Sequence, residues 1–308
     1  MYLMNSPNLE IKIGSMTMKN PVTVASGTFG YGPEYAELVD LNRLGAITVK
    51  GICPDEHVGN STPRTFETRG GMLNAIGLPG PGAKGFIKKY VPFLKQYNTP
   101  VIVNIWGKAM EDYGRVVELL DGEDTVSAYE INLSCPNVKE GGSAFGTDVD
   151  TFSRVIDLVR AKTQKPIIPK LAPNVPNIGA FAKAAEDCGS DAIAIMNTMP
   201  AMAINIHTLV PELANKVGGL SGPPIKPIAI KLVFDAFRSC SIPIIGMGGI
   251  FEPEDAVEFM IAGATAVAVG TASFIDPSTV IRVIDGIERY LAEKGHASSL
   301  DIVGTVRA

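Results

Sequence analysis

The chain has 308 residues, of which 46% are hydrophobic and 19% charged, a composition typical of a folded core rather than of a disordered segment. Its formal charge of -5 and the lack of a basic cluster argue against a nucleic-acid-binding surface. No stretch approaches the about 18 apolar residues of a membrane span, and no signal peptide is visible. The four scattered cysteines exclude an iron–sulfur or zinc site built from these thiols alone and favour a cytoplasmic location.

Apolar runs that alternate with helical patterns predict eight core strands with both faces covered. The predicted strands are residues 22–25, 46–50, 101–104, 129–133, 167–171, 192–196, 244–247 and 266–269. One helix is predicted after Thr147 and Asp148, and another begins near Pro253 and ends before Gly263. Eight strands, each followed by a helix, predict an α/β fold of the (β/α)8 or TIM-barrel type, formed by one domain over residues 1–308. A doubly wound open sheet is the alternative.

Two longer insertions, residues 52–84 and 199–226, each follow the C-terminal end of a predicted strand. Long loops in compact domains are usually lids or binding loops. We therefore expect both insertions to lie over the mouth of the barrel, where the active sites of such barrels are found.

Polar residues occur at the ends of the predicted strands in a consistent way. They are Ser26, Lys50 (followed by Gly51), Asn104, Lys170, Asn197 and Thr198. A lysine at the end of an apolar strand needs an acceptor or a ligand, because a buried unpaired ammonium is costly. A single lysine of this kind could equally form a structural ion pair, whereas agreement between five strand ends favours a shared site.

The segment 130–137, E-I-N-L-S-C-P-N, places Cys135 just beyond the end of a predicted strand. Free cysteines are commonly buried and inert. Here the thiol lies between Asn132 and Asn137, at the position where parallel barrels carry catalytic groups, so we expect a functional role. Together with Asn74 and Asn197, these amides suit an imide or pyrimidine-like substrate, since each amide can both donate and accept.

Glycines end the last two predicted strands, at Gly248, Gly249 and Gly270, the last followed by Thr271. Loops at these two positions of a barrel often hold a phosphate with backbone N–H groups. By contrast, the G-x-G-x-x-G match at residues 80–85 follows no strand and predicts no dinucleotide site. The three histidines have no metal-ligand spacing, so no metal site is expected.

These residues resemble the dihydroorotate dehydrogenases of pyrimidine synthesis. The similarity runs from residues 26–30 to 270–271 and is most specific at 74–78, 132–137 and 221–227. The resemblance implies a barrel that holds FMN at its C-terminal mouth, with orotate stacked on the flavin. It also implies that (S)-dihydroorotate is oxidised to orotate on the route to UMP, with hydride transfer to FMN.

The resemblance further implies roles for individual residues. Cys135 would be the catalytic base that removes a proton from C5 of dihydroorotate, and residues 139–145 are similar to the mobile lid of the family. The implied flavin-binding residues are Ser26, Lys50, Gly51, Asn104, Asn132, Lys170, Met196 and Gly222, with Gly248, Gly249, Gly270 and Thr271 at its phosphate. The implied substrate-binding residues are Lys50, Asn74, Ala75, Ile76, Gly77, Leu78, Asn132, Asn197 and Thr198. Met196 departs from the isoleucine or leucine expected there.

Cysteine instead of serine at the base position, together with residues 27–32 and 221–227, is similar to the soluble NAD-linked branch of the family, type 1B. In that branch a second subunit carries FAD and a [2Fe–2S] cluster, and a homodimer of catalytic subunits forms the core of a heterotetramer. Four alternatives stay open: a fumarate-linked (type 1A) enzyme, a lyase that uses Lys170 as a Schiff-base amine, a non-catalytic flavin carrier, and a related pyrimidine reductase.

Overall fold

A computed structural model describes residues 6–133 and 146–307. The strands are β1 (Ile11–Ile13), β2 (Met16–Met18), β3 (Val22–Val24), β4 (Ile47–Ile52), β5 (Thr65–Glu67), β6 (Met72–Asn74), β7 (Val101–Ile105), β8 (Val126–Asn132), β9 (Ile167–Leu171), β10 (Ile193–Ile195), β11 (Met199–Ala201), β12 (Ile204–Asn205), β13 (Val210–Pro211), β14 (Gly218–Ser221), β15 (Ile244–Met247) and β16 (Ala266–Val269).

The helices lie mainly between the strands of the largest sheet. They are α1 (Gly82–Lys89), α2 (Val91–Leu94), α3 (Met110–Leu120), α4 (Val149–Arg160), α5 (Ile178–Asp187), α6 (Lys226–Phe237), α7 (Pro253–Ala262), α8 (Ala272–Ile275) and α9 (Thr279–Lys294), with short 3₁₀ turns at Leu41–Arg43, Pro223–Ile225 and Ser299–Ile302. Within the described ranges, none of these helices is long and apolar enough to cross a bilayer.

Eight parallel strands form one sheet in the order β3-β16-β15-β10-β9-β8-β7-β4. Its two edge strands also meet, because the Gly45 N–H donates to the Val22 carbonyl at 2.9 Å and the Thr23 hydroxyl donates to the Ala46 carbonyl at 2.9 Å. The sheet is thus a nearly closed barrel surrounded by helices, and the predicted (β/α)8 fold is confirmed. Each predicted strand overlaps a barrel strand, with the largest shift at the start of β8, which begins at Val126.

The two helices predicted from their end signals are present. The Asp148 carboxylate accepts a hydrogen bond from the Thr151 N–H at the start of α4, and α7 runs from Pro253 to a left-handed Gly263. The expectation that every strand precedes a helix is wrong for β3, which is followed only by the 3₁₀ turn at Leu41–Arg43. Gly30 and Gly32 adopt positive φ angles of 65° and 113° there, which are incompatible with a helix.

The lower half of the barrel interior is apolar. Its inward-facing side chains come from alternate positions of the strands, and the β1–β2 hairpin closes the N-terminal end with four buried side chains. This bottom layer comprises Ile11, Ile13, Met16, Met18, Ala46, Ile102, Ala128, Ile168, Ala192, Ala194, Ile245, Met247, Ala266 and Ala268. The opposite faces of the strands pack against the helices.

The two insertions pair with each other. Strands β5 and β6 of the first insertion and β11 and β14 of the second form a four-stranded antiparallel sheet, in which Gly219 lies opposite Asn74. The Thr271 hydroxyl, just after β16, donates to the Ser221 hydroxyl of β14 at 2.8 Å. This contact places the sheet at the C-terminal ends of the barrel strands, as expected from the sequence.

Candidate active site

Three adjacent barrel strands place polar side chains directly above the apolar bottom layer. Asn104 lies opposite Glu130 in the β7–β8 register, and Asn132 lies opposite Lys170 in the β8–β9 register. Asn104 Nδ2 donates to Glu130 Oε1 at 2.6 Å, and Lys170 Nζ lies 3.4 Å from the same oxygen. We call Asn104, Glu130 and Lys170 the polar floor.

The ion pair of the polar floor is almost fully buried, since the Lys170 and Glu130 side chains are 8% and 4% exposed. The structural ion pair that the sequence left open for Lys170 therefore exists, and it lies within the candidate site. Sequence reasoning missed Glu130. The available signal was a carboxylate in an apolar strand, two residues before Asn132 and so on the same face of β8.

The Asn104 side chain has an unsatisfied hydrogen-bond acceptor. Its Oδ1 is buried and has no partner among the described residues, although a buried polar oxygen normally has one. A Cβ on Gly51 would lie 3.0 Å from this oxygen and 2.9 Å from the Trp106 ring, so glycine keeps the backbone of β4 close to it. Gly51 thus lets the backbone of β4 lie close to an acceptor that has no described partner.

Three of the predicted amides are brought together at the mouth. Asn197 Nδ2 donates to Asn132 Oδ1 at 3.3 Å, while Asn197 Oδ1 accepts from the Thr198 N–H at 2.8 Å. Asn74 Nδ2 donates to the Gly219 carbonyl at 3.3 Å, across the sheet formed by the two insertions. A Cβ on Gly219 would overlap the Thr198 hydroxyl at 1.8 Å, so this position requires glycine.

Residues 75–78 continue from Asn74 as an ordered turn. Asn60 holds it with two hydrogen bonds, from its side chain to the Ala75 carbonyl at 3.0 Å and from its N–H to the Ile76 carbonyl at 3.1 Å. Gly77 and Leu78 have positive φ angles of 75° and 52°. The Leu78 side chain packs against Cys53 and Trp106 and lies next to Gly51.

The predicted phosphate-binding glycines cluster at the start of α6. Gly249 has a φ of +79°, and a Cβ there would lie 2.9 Å from the Gly222 carbonyl and 3.0 Å from the Lys226 N. Gly248 packs against α6 as well, while Gly270 lies in ordinary contact with Ala25. The first turn of α6 itself offers few donors, because Pro227 has no N–H and the Lys226 N–H donates to the Pro223 carbonyl. The phosphate site therefore stays a prediction that rests on the glycine turns after β15 and β16.

Comparisons with known proteins agree with this geometry. A family model described as dihydroorotate dehydrogenase matches residues 8–291. A relative from Geotalea uraniireducens is 48% identical over 98% of this chain and 99% of its own length. Another from Thermoanaerobacter pseudethanolicus is 50% identical over 97% and 99% of the two chains, and both are named dihydroorotate dehydrogenase B (NAD(+)), catalytic subunit.

The chain belongs to the dihydroorotate dehydrogenase family. The resemblance drawn from the sequence is therefore confirmed.

Three further residues predicted from the family lie at the ends of barrel strands. Ser26 and Met196 are buried, at 7% and 3% exposure, just beyond β3 and β10, and the Met196 N–H donates to the Met247 carbonyl at 3.2 Å. Lys50 is half-buried and has no ion-pair partner within the described residues. Burial lowers the pKa of Lys50, and the nearby Glu34 only partly opposes this effect.

The predicted base of this family member, Cys135, lies outside the described residues, as do Asn137 and the lid segment 139–145. The other three cysteines are described. Burial raises the pKa of Cys53 to about 11 and also raises the pKa of Cys188 and Cys240. A thiolate at neutral pH is therefore disfavoured at all three described cysteines, and they are poor candidates for the base.

Proposed function

We propose that this chain is the FMN-binding catalytic subunit of an NAD-linked dihydroorotate dehydrogenase, which oxidises (S)-dihydroorotate to orotate in pyrimidine synthesis. One observation carries the proposal: the amides of Asn74, Asn132 and Asn197 lie at the same barrel mouth as Lys50 and Lys170. Amides recognise the donors and acceptors of an imide, and a lysine complements a carboxylate. Dihydroorotate carries both groups on one ring.

The described residues fit FMN. The unpartnered Asn104 oxygen can accept from an N–H of the ring. Gly222, Gly248, Gly249 and Thr271 surround the expected phosphate position. FMN, when bound, supplies the hydride acceptor that the side chains of the protein lack.

The side chains of the protein would orient the substrate, remove its proton and stabilise the charge that develops. Lys50 and the three amides orient the substrate, which fixes the acidic carbon of its ring relative to the base. Cys135 is the proposed base and takes the proton from C5. Lys170, held by Glu130, would supply positive charge to a flavin bound at the mouth. The roles of Cys135 and Lys170 rest on the family resemblance, and those of Lys50 and the three amides rest on the resemblance together with the polar contacts of the mouth.

The names of the relatives include NAD(+) and the words catalytic subunit, which imply a further subunit in those proteins. We propose that the present chain likewise pairs with an electron-transfer subunit carrying FAD and a [2Fe–2S] cluster, around a homodimer of catalytic subunits. That division of labour fits the absence of a nicotinamide-binding motif in the sequence. The single domain over residues 1–308 and the cytoplasmic location stay predictions.

The lyase alternative is weakened by the environment of Lys170. Lys170 Nζ lies 3.4 Å from Glu130 Oε1 in a buried ion pair, and a Schiff base at Lys170 would leave that carboxylate buried without its partner. Borohydride treatment with a carbonyl substrate should therefore trap no adduct at Lys170. An adduct there would instead support the lyase.

The test of the proposed function is anaerobic mixing of the purified flavin-loaded chain with dihydroorotate. We expect loss of the visible absorbance of the oxidised flavin within one turnover, followed by slow or no re-oxidation by NAD until the electron-transfer subunit is added. Rapid re-oxidation by fumarate would favour the fumarate-linked type. A chain that binds no flavin, or a flavin that dihydroorotate leaves oxidised, would refute the proposal.

A further inference from the structure

Glu130 is a buried carboxylate at the base of the candidate site, outside every role that the resemblance implies. Its side chain is 4% exposed, and its Oε1 contacts Asn104 Nδ2 at 2.6 Å and Lys170 Nζ at 3.4 Å. Directly below it on the same face of β8 is Ala128 of the apolar bottom layer. Burying a carboxylate here costs free energy unless the group is paired, so the contacts with Asn104 and Lys170 are what stabilise it.

The first consequence of Glu130 concerns the orientation of the Asn104 amide. An ionised carboxylate only accepts hydrogen bonds, so Asn104 must turn its NH2 group toward Glu130 and its Oδ1 away from it. That Oδ1 is buried without a partner among the described residues and lies beside Gly51, 3.0 Å from the position of a Cβ there. Glu130 thereby makes Asn104 an acceptor toward the site, able to bind a ligand N–H.

The second consequence concerns charge. Lys170 is a buried ammonium, and in surroundings of low dielectric constant it acts strongly on any charge that develops nearby. The carboxylate of Glu130 lies on the same polar floor and opposes this field. The pair therefore exerts a weaker positive potential on the site than Lys170 would exert alone.

We propose that Glu130 is a positioning residue of the flavin site, which sets the hydrogen-bonding polarity of Asn104 and moderates the charge of Lys170. This inference rests on the proposed function. It means that Glu130 keeps Asn104 as an acceptor for a ring N–H, which would support FMN binding, and limits the preference of Lys170 for the anionic reduced form. Hydrogen bonds to ring nitrogens and nearby charges are established means by which proteins tune flavins.

The experiment is the substitution Glu130→Gln, which keeps the size of the side chain but removes its charge and adds an amide donor. The affinity of the apoprotein for oxidised FMN is measured by quenching of flavin fluorescence, and the midpoint potential of the bound flavin by equilibration with a reference dye. We expect the ratio of reduced to oxidised FMN affinity to rise about tenfold, which is about 30 mV for a two-electron couple. Affinity for oxidised FMN should fall.

Two further variants separate this role from a structural one. Glu130→Asp keeps the charge and should return the affinity ratio toward the wild-type value, even if it lowers stability. Thr48→Val removes a buried hydroxyl, 3.0 Å from the Thr23 hydroxyl inside the same barrel, and should leave the ratio unchanged. The inference is overturned if Glu130→Gln changes the ratio no more than Thr48→Val, or if Glu130→Asp changes it as much as Glu130→Gln.

If Glu130→Gln does not fold, Lys170→Gln is compared with the double variant Glu130→Gln and Lys170→Gln. The double variant should have the higher ratio, because it lacks the carboxylate that repels the reduced ring, and equal ratios would overturn the inference. Failure of the proposed function looks different. In that case the wild-type apoprotein itself binds no FMN, whereas failure of the Glu130 role leaves wild-type FMN binding intact.

Discussion

The two ends of the barrel interior are built from the same strands but have opposite chemistry. On β7, β8 and β9 the inward-facing side chain changes from apolar to polar within two residues. The three pairs are Ile102 and Asn104, Ala128 and Glu130, and Ile168 and Lys170. Because side chains alternate across a strand, both members of each pair face the interior, and only their height in the barrel differs.

The difference shows that the residues that stabilise the barrel and the residues that bind the ligand occupy separate layers of its interior. The lower layer is closed by the β1–β2 hairpin and excludes water from one side of the polar floor. The upper layer combines amides and lysines whose described contacts are polar and which lie at the mouth, where a ligand can bind. Substitutions at the two ends should therefore affect different measurements, and the predictions below test that separation.

The largest expected effect is at the mouth. Cys135→Ala should lower the rate of flavin reduction by dihydroorotate by about 10²–10⁴-fold, the usual contribution of a general base. FMN content and the free energy of unfolding should stay near the wild-type values. The measurement is stopped-flow absorbance under anaerobic conditions.

The matched control for this prediction is Cys53→Ala, since the pKa of Cys53 is raised by burial and its thiol donates only to the Asp55 carbonyl among the described contacts. Cys53→Ala should retain flavin reduction. Normal rates in Cys135→Ala would remove the assigned base and favour a flavin carrier or another proton acceptor.

At the opposite end, Ile13→Ala should reduce stability and spare the chemistry. Ile13 is fully buried in the bottom layer, and such a truncation typically costs about 2–5 kcal/mol. Denaturant unfolding should show this loss, while the rate of flavin reduction per bound FMN stays unchanged. A large fall in that rate at equal flavin content would show that the two ends are coupled more tightly than the layering implies.

The layering also explains how much was predictable from the sequence. The barrel followed from eight apolar runs and from local end signals such as Asp148 and Gly263, all of which act over a few residues. Site residues at strand ends, including Asn104 and Lys170, followed from a general property of parallel barrels. These features need no knowledge of distant contacts.

What escaped prediction depends on contacts between distant segments. The sheet that joins Asn74 to Gly219 links residues 145 positions apart, and the sequence predicted both segments only as long loops. Glu130 was missed because its role depends on contacts with Asn104 and Lys170, which belong to two other strands. Tyr113 reaches from α3 to the end of β8, a contact that helical periodicity alone does not reveal.

Lys50 gives a pH-dependent test of the mouth. Burial lowers its pKa below the ordinary 10.5, so between the two values the unfolded chain binds the proton that the folded chain has lost. In that window the stability of the ligand-free protein should rise with pH, whereas affinity for orotate should fall by at most about tenfold per pH unit.

The control for Lys50 is Lys50→Arg, whose guanidinium stays charged throughout this range. The difference in orotate affinity between the two proteins at each pH removes the contribution from titration of orotate and of the other groups, which is the same in both. Isothermal titration calorimetry from pH 7 to pH 10 provides the measurement. Parallel pH profiles for wild type and Lys50→Arg would mean that Lys50 does not bind the carboxylate.

The smallest effect is expected at Tyr113, a buried residue whose hydroxyl donates to the Asn132 carbonyl at 2.8 Å. Tyr113→Phe should cost about 1 kcal/mol of stability and weaken orotate binding by at most about fivefold, because Asn132 loses one of its supports.

The matched control is Tyr129→Phe, which removes a phenol 3.3 Å from Asp121, on the side of β8 that faces away from the mouth. It should lose comparable stability without a change in orotate affinity. Equal affinity losses in the two variants would show that orotate binding responds to general softening of β8 rather than to the position of Asn132.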